Sequence, residues 1–215
     1  MARVICVMGE SGSGKTTSLR NLPPKETMIV DCDGKGLPWK GWKKQYNGEV
    51  KNYVSCYKPD MVLNIMAHVQ EKEEYKHIKY LVIDTLNGIM VGDEMDRLKE
   101  KGYDKWQELA QSVYKIVVYA NMMRDDLNVI FTAHTETVNE DNGYTFTRIK
   151  TSGRKLSKIV LESKFSTVLL AKCVNGRYVF ETRANNSTTK TLMGAFEEAE
   201  IDNDIMNVIE ALKDF

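Results

Sequence analysis

Residues 9–17 combine glycine, serine, lysine and threonine at a spacing suited to binding phosphate. Gly9 and Gly14 are separated by four residues, and Gly14 is followed by Lys15 and Thr16. Bare glycines let successive backbone N–H groups approach a phosphate closely, while the lysine reaches the β- and γ-phosphates and the Thr16 hydroxyl is placed to ligate Mg²⁺. This pattern is the P-loop, and it predicts a nucleoside triphosphate with magnesium as the ligand.

The residues on either side of this loop have the pattern that phosphate binding requires. Residues 3–8 form an apolar run that predicts a buried strand, and residues 16–22 predict the start of a helix, whose N-terminal partial charge favours an anion. The alternative is a chance glycine-rich turn, and the order strand, loop, helix argues against it. The residues expected to contact the nucleotide are Gly9, Glu10, Ser11, Gly12, Ser13, Gly14, Lys15, Thr16 and Thr17.

A carboxylate after a second apolar run could hold the magnesium. Residues 80–85 read Tyr-Leu-Val-Ile-Asp-Thr, which places Asp84 at the end of a predicted strand. The carboxyl ends of parallel strands meet at one edge of a sheet, so we expect Asp84 to face the metal together with Thr16. The alternative interpretation is a helix N-cap, because Asp84 and Thr85 also begin a turn.

Two further acidic residues and a histidine could help to activate an attacking water. Asp31 ends the run at residues 27–31 and Asp33 lies two residues beyond it, and geometry alone does not choose between them. The alternative for this pair is turn formation, because Asp33 precedes Gly34. His134 ends another predicted strand at the same edge, within reach of a γ-phosphate, although a lone histidine can also be purely structural.

The rest of the chain predicts an α/β fold, a P-loop NTPase whose mostly parallel sheet is flanked by helices. Strands alternate with helices through the first two thirds, and Asn-Gly pairs at 142–143 and 175–176 predict antiparallel hairpins in the C-terminal third. No internal repeat or linker divides the chain, so we expect one domain over residues 1–215. The expected strands are 27–31, 53–57, 77–84 and 127–132, with ribbons at 135–149 and 166–183, helices around 59–69, 106–120 and 156–161, and a last helix at 205–212 capped by Asp202 or Asn203.

Composition and charge exclude several classes of protein. The 215 residues carry 30 lysines and arginines against 30 aspartates and glutamates, so the net charge gives no information about partners. Four scattered cysteines without paired spacing are typical of reduced thiols in a cytoplasmic protein. The N-terminus does not read as a signal peptide, and no apolar run reaches the roughly 18 residues of a membrane span, so we expect no membrane partner.

A basic and aromatic segment at residues 144–158 could bind single-stranded nucleic acid. It contains no acidic residue, and its alternating Tyr144 and Phe146 share one face of a predicted strand. Cations for phosphates and aromatic faces for stacking suit sequence-tolerant binding of single strands, whereas the alternative is a solvated hairpin whose rings pack on their own ribbon. The other candidate contacts are Arg148, Lys150, Arg154 and Lys155. A second such stretch, residues 35–46, is expected to cover the nucleotide or pack on the sheet.

Taken together, these motifs resemble those of the RecA-like recombinase ATPases over residues 4–183. The phosphate loop of that family is similar to GESGSGKTT, and its Walker B strand is similar to YLVIDT, which ends in Asp84. The family strand that ends in a catalytic glutamate resembles MIVDCD, so Asp33 maps onto that glutamate with a side chain one methylene shorter. The family has Asn-Gln where this chain has VIFTAH, so His134 maps onto the glutamine that senses the γ-phosphate.

More narrowly, the chain is similar to small phage-encoded RecA-like ATPases that act in single-strand DNA annealing and recombination. The resemblance implies ATP as the nucleotide, Mg²⁺ as its metal, single-stranded DNA as a partner, and a host cytoplasm as the location. It also implies hydrolysis stimulated by DNA. A homo-oligomer is compatible with the resemblance, but we do not expect filament formation to carry over, because the N-terminal segment that RecA uses for filament packing is absent from this sequence. The residues that it assigns to catalysis are Lys15, Asp33, Asp84 and His134.

Two other functions are compatible with the same P-loop. A small-molecule or nucleotide kinase would use Arg148 and Arg154 in a lid, although two hairpins match the helical lid of such enzymes poorly. A non-catalytic nucleotide-binding adaptor would bind ATP without hydrolysing it, and this interpretation gains weight if Asp33 faces away from the phosphates.

Overall fold

A mostly parallel sheet forms from the short apolar runs of the sequence. The computed structural model describes residues 1–139, 143–152 and 160–215, and nine strands lie within these ranges. The strands are β1 (Arg3–Gly9), β2 (Thr27–Asp31), β3 (Tyr53–Ser55), β4 (Tyr80–Asp84), β5 (Asn128–Asn139), β6 (Thr145–Ile149), β7 (Thr167–Val174), β8 (Arg177–Glu181) and β9 (Glu200–Asp202).

The order of the strands brings the predicted site residues to one edge of the sheet. The order is β3-β2-β4-β5-β1-β7-β8-β9, with parallel pairing from β3 to β7 and antiparallel pairing at β8 and β9. The strand β6 pairs with the far half of β5, and its Thr147 also forms an isolated bridge with Ser187. Because β5 lies between β1 and β4, the P-loop after β1 and Asp84 at the end of β4 face each other across the end of β5. The expected α/β class with antiparallel hairpins is confirmed.

Helices cover the two faces of this sheet. They are α1 (Trp42–Gln45), α2 (Pro59–Glu71), α3 (Leu86–Asp96), α4 (Tyr103–Met122) and α5 (Ile205–Ala211), with single 3-10 turns at Thr17–Leu19, Pro24–Glu26, Glu73–Tyr75 and Leu161–Lys164. Successive side chains of a strand point to opposite faces, so Cys6 joins the core under α2, α3 and α4 while Val7 joins the core under α5. None of the helices in the described ranges is long and apolar enough to cross a membrane.

The strand β5 is longer than the sequence suggested. We expected a buried strand at 127–132 and a separate ribbon from residue 135, but Asn128–Asn139 is one continuous strand of 12 residues. Its first six residues are buried and the rest are partly exposed. No glycine or proline interrupts the segment Thr-Ala-His-Thr, and β-branched residues favour the extended backbone, so the strand passes straight from the sheet into the ribbon.

Two helix predictions need correction, and one helix was missed. The helix expected at 16–22 is a single 3-10 turn, Thr17–Leu19, because Pro23 and Pro24 leave no room for more and the Ser18 hydroxyl donates to the carbonyl oxygen of Lys15 at 2.6 Å. The cap of α5 is Asp204, whose carboxylate accepts from the Met206 N–H, and neither Asp202 nor Asn203 serves. The helix α3 was not predicted at all. Most of the helix expected at 156–161 lies outside the described residues.

Candidate nucleotide-binding site

The loop after β1 has the backbone that a phosphate cradle needs. Gly12 and Gly14 adopt φ angles of +79° and +91°, which favour glycine because other residues are strained there. Gly9 ends β1, and Glu10 and Ser11 are exposed at the tip. Ser13, Lys15 and Thr16 are buried, while Thr17 begins the 3-10 turn. The helix dipole that we expected to favour an anion is reduced to that one turn, so the loop's own N–H groups must carry most of the attraction.

The side chain of Lys15 lies along the inside of this loop. It is 6 % exposed, and its Nζ donates to the carbonyl oxygens of Gly9 at 2.9 Å and Glu10 at 2.7 Å. Burial and the charge of Lys35 lower the pKa of Lys15 to about 8, against the opposing effect of Asp84. A cation held this way by two neutral oxygens would gain from an anionic partner, because its charge is only partly compensated.

The residues expected to hold magnesium lie in contact with each other. The hydroxyl of Thr16 donates to both carboxylate oxygens of Asp84, at 3.1 and 3.0 Å, and the hydroxyl of Thr132 donates a short hydrogen bond to the same carboxylate. Burial raises the pKa of Asp84, although the bonds from Thr132 and Thr16 and the charge of Lys35 act against this rise. The N-cap of α3 is Thr85, which accepts from the Gly88 N–H, so capping is not the task of Asp84.

This donor set fits Mg²⁺ bound together with a nucleotide. No cluster of three or more histidine, cysteine, aspartate or glutamate side chains able to hold a metal occurs within the described ranges. Mg²⁺ in nucleotide sites typically takes one or two protein oxygens and completes its shell with phosphates and water. One carboxylate, from Asp84, and one hydroxyl, from Thr16, satisfy that requirement.

The two aspartates at the end of β2 have different surroundings. Asp31 is fully buried, and its carboxylate accepts four hydrogen bonds, from the N–H groups of Asp33, Gly34 and Gly36 at 3.1, 2.9 and 2.7 Å and from the Tyr53 hydroxyl at 2.6 Å. Burial and the bond to Asp31 raise the pKa of the Tyr53 hydroxyl. Asp31 therefore shapes the loop that presents Asp33.

Asp33 points towards the edge of the sheet that carries the phosphate loop and Asp84, hereafter called the phosphate edge. Its Oδ1 accepts from the Thr85 hydroxyl at 3.0 Å, next to Asp84, and its Oδ2 forms an ion pair of 2.6 Å with Lys35. Burial lowers the pKa of Lys35, but the bond to Asp33 and the nearby carboxylates outweigh burial and leave that pKa raised. Sequence reasoning placed Lys35 only in a general basic stretch and missed it as a site residue.

His134 lies where β5 leaves the core of the sheet. Its backbone N–H donates to the Asn87 side-chain oxygen at 2.7 Å, and its side chain lines a cavity of about 450 Å³ together with Lys15 and Lys35. Burial and the charge of Lys15 lower the pKa of His134 below its ordinary value of 6.5, so the imidazole is neutral at pH 7. A neutral imidazole can donate one hydrogen bond and accept another.

The same cavity runs along much of the phosphate loop. Its lining includes residues 11, 12 and 14–17 of that loop, the segment at residues 35–38, and Tyr178 on β8. The tryptophans that follow do not line it. Trp42 packs on Tyr53, and Trp39 packs on Tyr46, so this part of the second basic stretch packs against the sheet as one of the two expected alternatives.

The ribbon formed by β6 and the far half of β5 carries the candidate nucleic-acid residues. Tyr144 and Phe146 stack with ring centres 5.7 Å apart, and Arg148 forms an ion pair of 2.9 Å with Glu136 on the neighbouring strand. That pair removes part of the positive charge, because the acidic partner comes from across the ribbon. The side chain of Lys150 is exposed, while Arg154 and Lys155 lie outside the described residues.

One side chain of α3 ties this ribbon to the phosphate edge. The amide of Asn87 accepts from the His134 N–H at 2.7 Å and donates to the Lys150 carbonyl oxygen at 2.8 Å. The Lys150 N–H in turn donates to the His134 carbonyl oxygen at 2.8 Å. Sequence reasoning missed Asn87 because nothing local marks it. It also missed Thr132, although a threonine in an otherwise apolar buried run was a usable signal.

The comparison with known proteins points to one family. A family model described as an AAA domain matches residues 1–191 of the chain. No curated protein matches it.

Proposed function

The chain belongs to the AAA domain family, which has the P-loop ATPase type of domain, and we propose on that basis that it hydrolyses Mg·ATP in a cycle coupled to single-stranded DNA. The observation that carries the proposal is the continuity of β5, which joins the phosphate edge at His134 to the aromatic ribbon without an intervening loop. A nucleotide-dependent change at one end of this strand would be felt at the other.

The phosphate loop supplies binding and charge stabilisation. Backbone N–H groups of residues 9–17 hold the phosphates, and Lys15 exchanges two carbonyl partners for anionic oxygens. Thr16 and Asp84 would hold Mg²⁺, which neutralises negative charge on the phosphates when it is bound. Because Asp84 is fully buried and hydrogen-bonded by two hydroxyls, its position is fixed before the metal arrives.

Asp33 and His134 are the residues proposed to complete catalysis. Asp33 is held beside Asp84 through Thr85, and its second oxygen pairs with Lys35, so the carboxylate has a fixed position from which it can orient an attacking water. His134 is neutral at pH 7 and lines the cavity of the phosphate loop. It is therefore suited to register whether a γ-phosphate is present.

The ribbon is the proposed DNA-binding element. Stacked Tyr144 and Phe146 offer aromatic faces for bases, and Lys150, Arg148 and the basic residues beyond them offer charge for the phosphate backbone. The Asn87 side chain, bonded to the backbone of His134 and of Lys150, forms a clamp that holds the base of this ribbon. The role that we propose for the cycle is the annealing or recombination of single strands, in the manner of the phage-encoded RecA-like ATPases, with several copies acting together.

The test is steady-state ATP hydrolysis with and without single-stranded DNA at low salt. We expect DNA to raise turnover in the wild type, Lys15→Ala to abolish hydrolysis, and the double variant Tyr144→Ala, Phe146→Ala to keep basal hydrolysis but lose the stimulation. Phe215→Ala, which removes an exposed ring elsewhere, is the matched control and should behave as the wild type.

Three outcomes would contradict the proposal. A rate that stays constant across the DNA titration would remove the coupling, and phosphate transferred to an added nucleoside monophosphate would identify a kinase. Tight ATP binding with neither hydrolysis nor retention of DNA would identify a nucleotide-binding adaptor.

A further inference from the structure

A buried amide beside the phosphate loop has no hydrogen-bond partner. Asn203 is 4 % exposed, and within the described residues neither its Oδ1 nor its Nδ2 meets a donor or acceptor. Burying a primary amide without partners is unfavourable, and buried polar groups in folded proteins are nearly always paired. An amide left in this state next to a ligand cavity indicates that a ligand completes its hydrogen bonds.

The backbone around Asn203 is held from both sides, so the side chain is not at the end of a loose loop. Its carbonyl oxygen accepts from Arg20 at 2.8 Å, and the preceding Asp202 pairs with Val179 of β8. The following Asp204 caps α5 and accepts from Asn21 at 2.5 Å. The amide is therefore presented in a defined place.

That place is directly against the phosphate loop. A Cβ atom added to Gly14 would lie 3.2 and 3.3 Å from the two polar atoms of Asn203 and 2.9 Å from the ring of Tyr178. Gly14 and Tyr178 both line the cavity that contains Lys15 and His134. Tyr178 is 45 % exposed, which leaves part of its ring accessible. Only glycine lets the loop pack this closely under the amide and the ring.

The direction of the bound nucleotide follows from the loop. In a P-loop the lysine reaches the β- and γ-phosphates and the backbone N–H groups hold the α- and β-phosphates, so the base extends away from the lysine. In this chain the γ-phosphate would lie by Lys15, Lys35 and His134, which line the cavity and are close enough that, besides burial, the two lysine charges lower the pKa of the histidine. Tyr178 lines the same cavity, and Asn203 lies beside it against Gly14.

We propose that Asn203 and Tyr178 form the base-recognition site of the nucleotide, with Tyr178 stacking on the ring and the Asn203 amide pairing with its edge. This inference rests on the proposed function, because it assumes that the loop binds a nucleoside triphosphate. An asparagine amide offers one donor and one acceptor side by side, which complements the amino group and adjacent ring nitrogen of adenine. The proposal therefore selects ATP, and a guanine nucleotide is the alternative that the experiment distinguishes.

The experiment compares equilibrium binding of ATP, GTP, purine riboside triphosphate and inorganic tripolyphosphate, each with Mg²⁺, by calorimetry. We expect the wild type to bind ATP more tightly than GTP and more tightly than purine riboside triphosphate, which lacks the exocyclic amino group. Asn203→Ala should weaken ATP binding about tenfold, the loss of one bidentate base contact, and should remove the preference for ATP. Tyr178→Leu should weaken binding of all three nucleoside triphosphates, because the base of each would stack on the tyrosine ring.

Tripolyphosphate and two further variants distinguish a loss of base recognition from a loss of phosphate binding or of folding. Tripolyphosphate carries no base, so Asn203→Ala and Tyr178→Leu should bind it as the wild type does, which also shows that the loop is folded. Asn203→Ser is the second variant if the alanine does not fold, and Asn21→Ala is the control that disturbs the same turn without touching the base.

Three results would overturn the inference. Unchanged ATP affinity in Asn203→Ala, equal losses for ATP and tripolyphosphate, or a wild type that prefers GTP would each exclude adenine recognition by Asn203. A wild type that binds neither ATP nor tripolyphosphate would instead refute the proposed function, and the base site would fall with it.

Discussion

Two aspartates that stand two positions apart in the sequence have opposite tasks at the scale of the residue. Asp31 accepts four hydrogen bonds in the interior and organises a loop, whereas Asp33 meets Thr85 and Lys35 at the phosphate edge. The sequence could not separate them, because both stand at the end of the same strand and both precede a turn. The separation comes from Tyr53 on β3, which occupies the interior side of Asp31.

This contrast makes a prediction about two matched substitutions. Asp33→Asn should lower the turnover number about a hundredfold, the usual size of a general-base contribution, with little effect on stability because its ion pair with Lys35 is partly exposed. Asp31→Asn should lower the free energy of unfolding by about 2 kcal/mol, because an amide cannot accept every bond that the buried carboxylate accepts. Urea unfolding and ATP turnover measure the two effects. The reverse pattern would assign water activation to Asp31.

At the scale of the element, the important unit is β5 together with the first turn of α3. The Asn87 amide holds His134 and Lys150 at the point where the strand leaves the sheet. The helix begins at Leu86, directly after Asp84 and the helix cap Thr85, so the clamp is built on the turn that follows the proposed magnesium ligand Asp84. A change at the phosphates therefore has a short mechanical route to the ribbon.

We predict that Asn87→Ala uncouples DNA from hydrolysis. The substitution leaves two backbone groups without partners and should cost about 1–3 kcal/mol of stability. ATP binding should persist, while the ratio of turnover with DNA to turnover without it should fall towards one. The matched control is Asn121→Ala on α4, which also loses two bonds to backbone groups but lies away from the site. Equal stimulation in both variants would refute the clamp.

Local patterns predicted most elements and failed where tertiary contacts decide. Strand β2 and the hairpin with Asn175 and Gly176, whose φ angles of +51° and +79° suit a tight hairpin turn, follow from residue type and spacing. The continuity of β5 could not be predicted from the sequence. A run of apolar residues that gives way to alternating polar and apolar residues looks like two separate strands. The helix α3 was missed because its residues show no clear apolar period.

At the scale of the whole molecule, the described residues form one sheet with a hydrophobic core on each face. The residues that flank the phosphate loop belong to both cores. Met8 of β1 belongs to the core under α2, α3 and α4, and Leu19, just after the loop, belongs to the core under α5. The glycine and lysine pattern of the loop was readable because it is contiguous in the chain. Lys35, Tyr178 and Asn203 were not, because only the fold brings them to the loop.

This arrangement predicts a single cooperative thermal transition that Mg·ATP shifts as a whole. ATP at a hundred times its dissociation constant should add about 2.7 kcal/mol, or roughly 5–10 °C in the midpoint for a domain of this size. Lys15→Ala should remove the shift. Differential scanning calorimetry provides the measurement, and two separate transitions would contradict a single domain over residues 1–215.

The same shift should depend on pH through Lys15. Its pKa of about 8 in the free protein means that the ammonium is present below pH 8 and is lost above it. The protonated form pairs with phosphate, so the apparent affinity for ATP should fall about tenfold per pH unit above 8, and the midpoint shift should shrink between pH 7 and pH 9. A constant shift over that range would show that the lysine stays charged.

The uninterrupted course of β5 also restricts how chains of this kind can vary in length. Side chains alternate along an extended backbone, so the residue at position 134 fixes which side every later ribbon residue faces. One inserted residue between His134 and Thr135 would turn the outward face of the strand inward, whereas two would restore it. Related chains should therefore grow or shorten here only in even steps, and odd changes should be confined to the segment that connects β5 to β6.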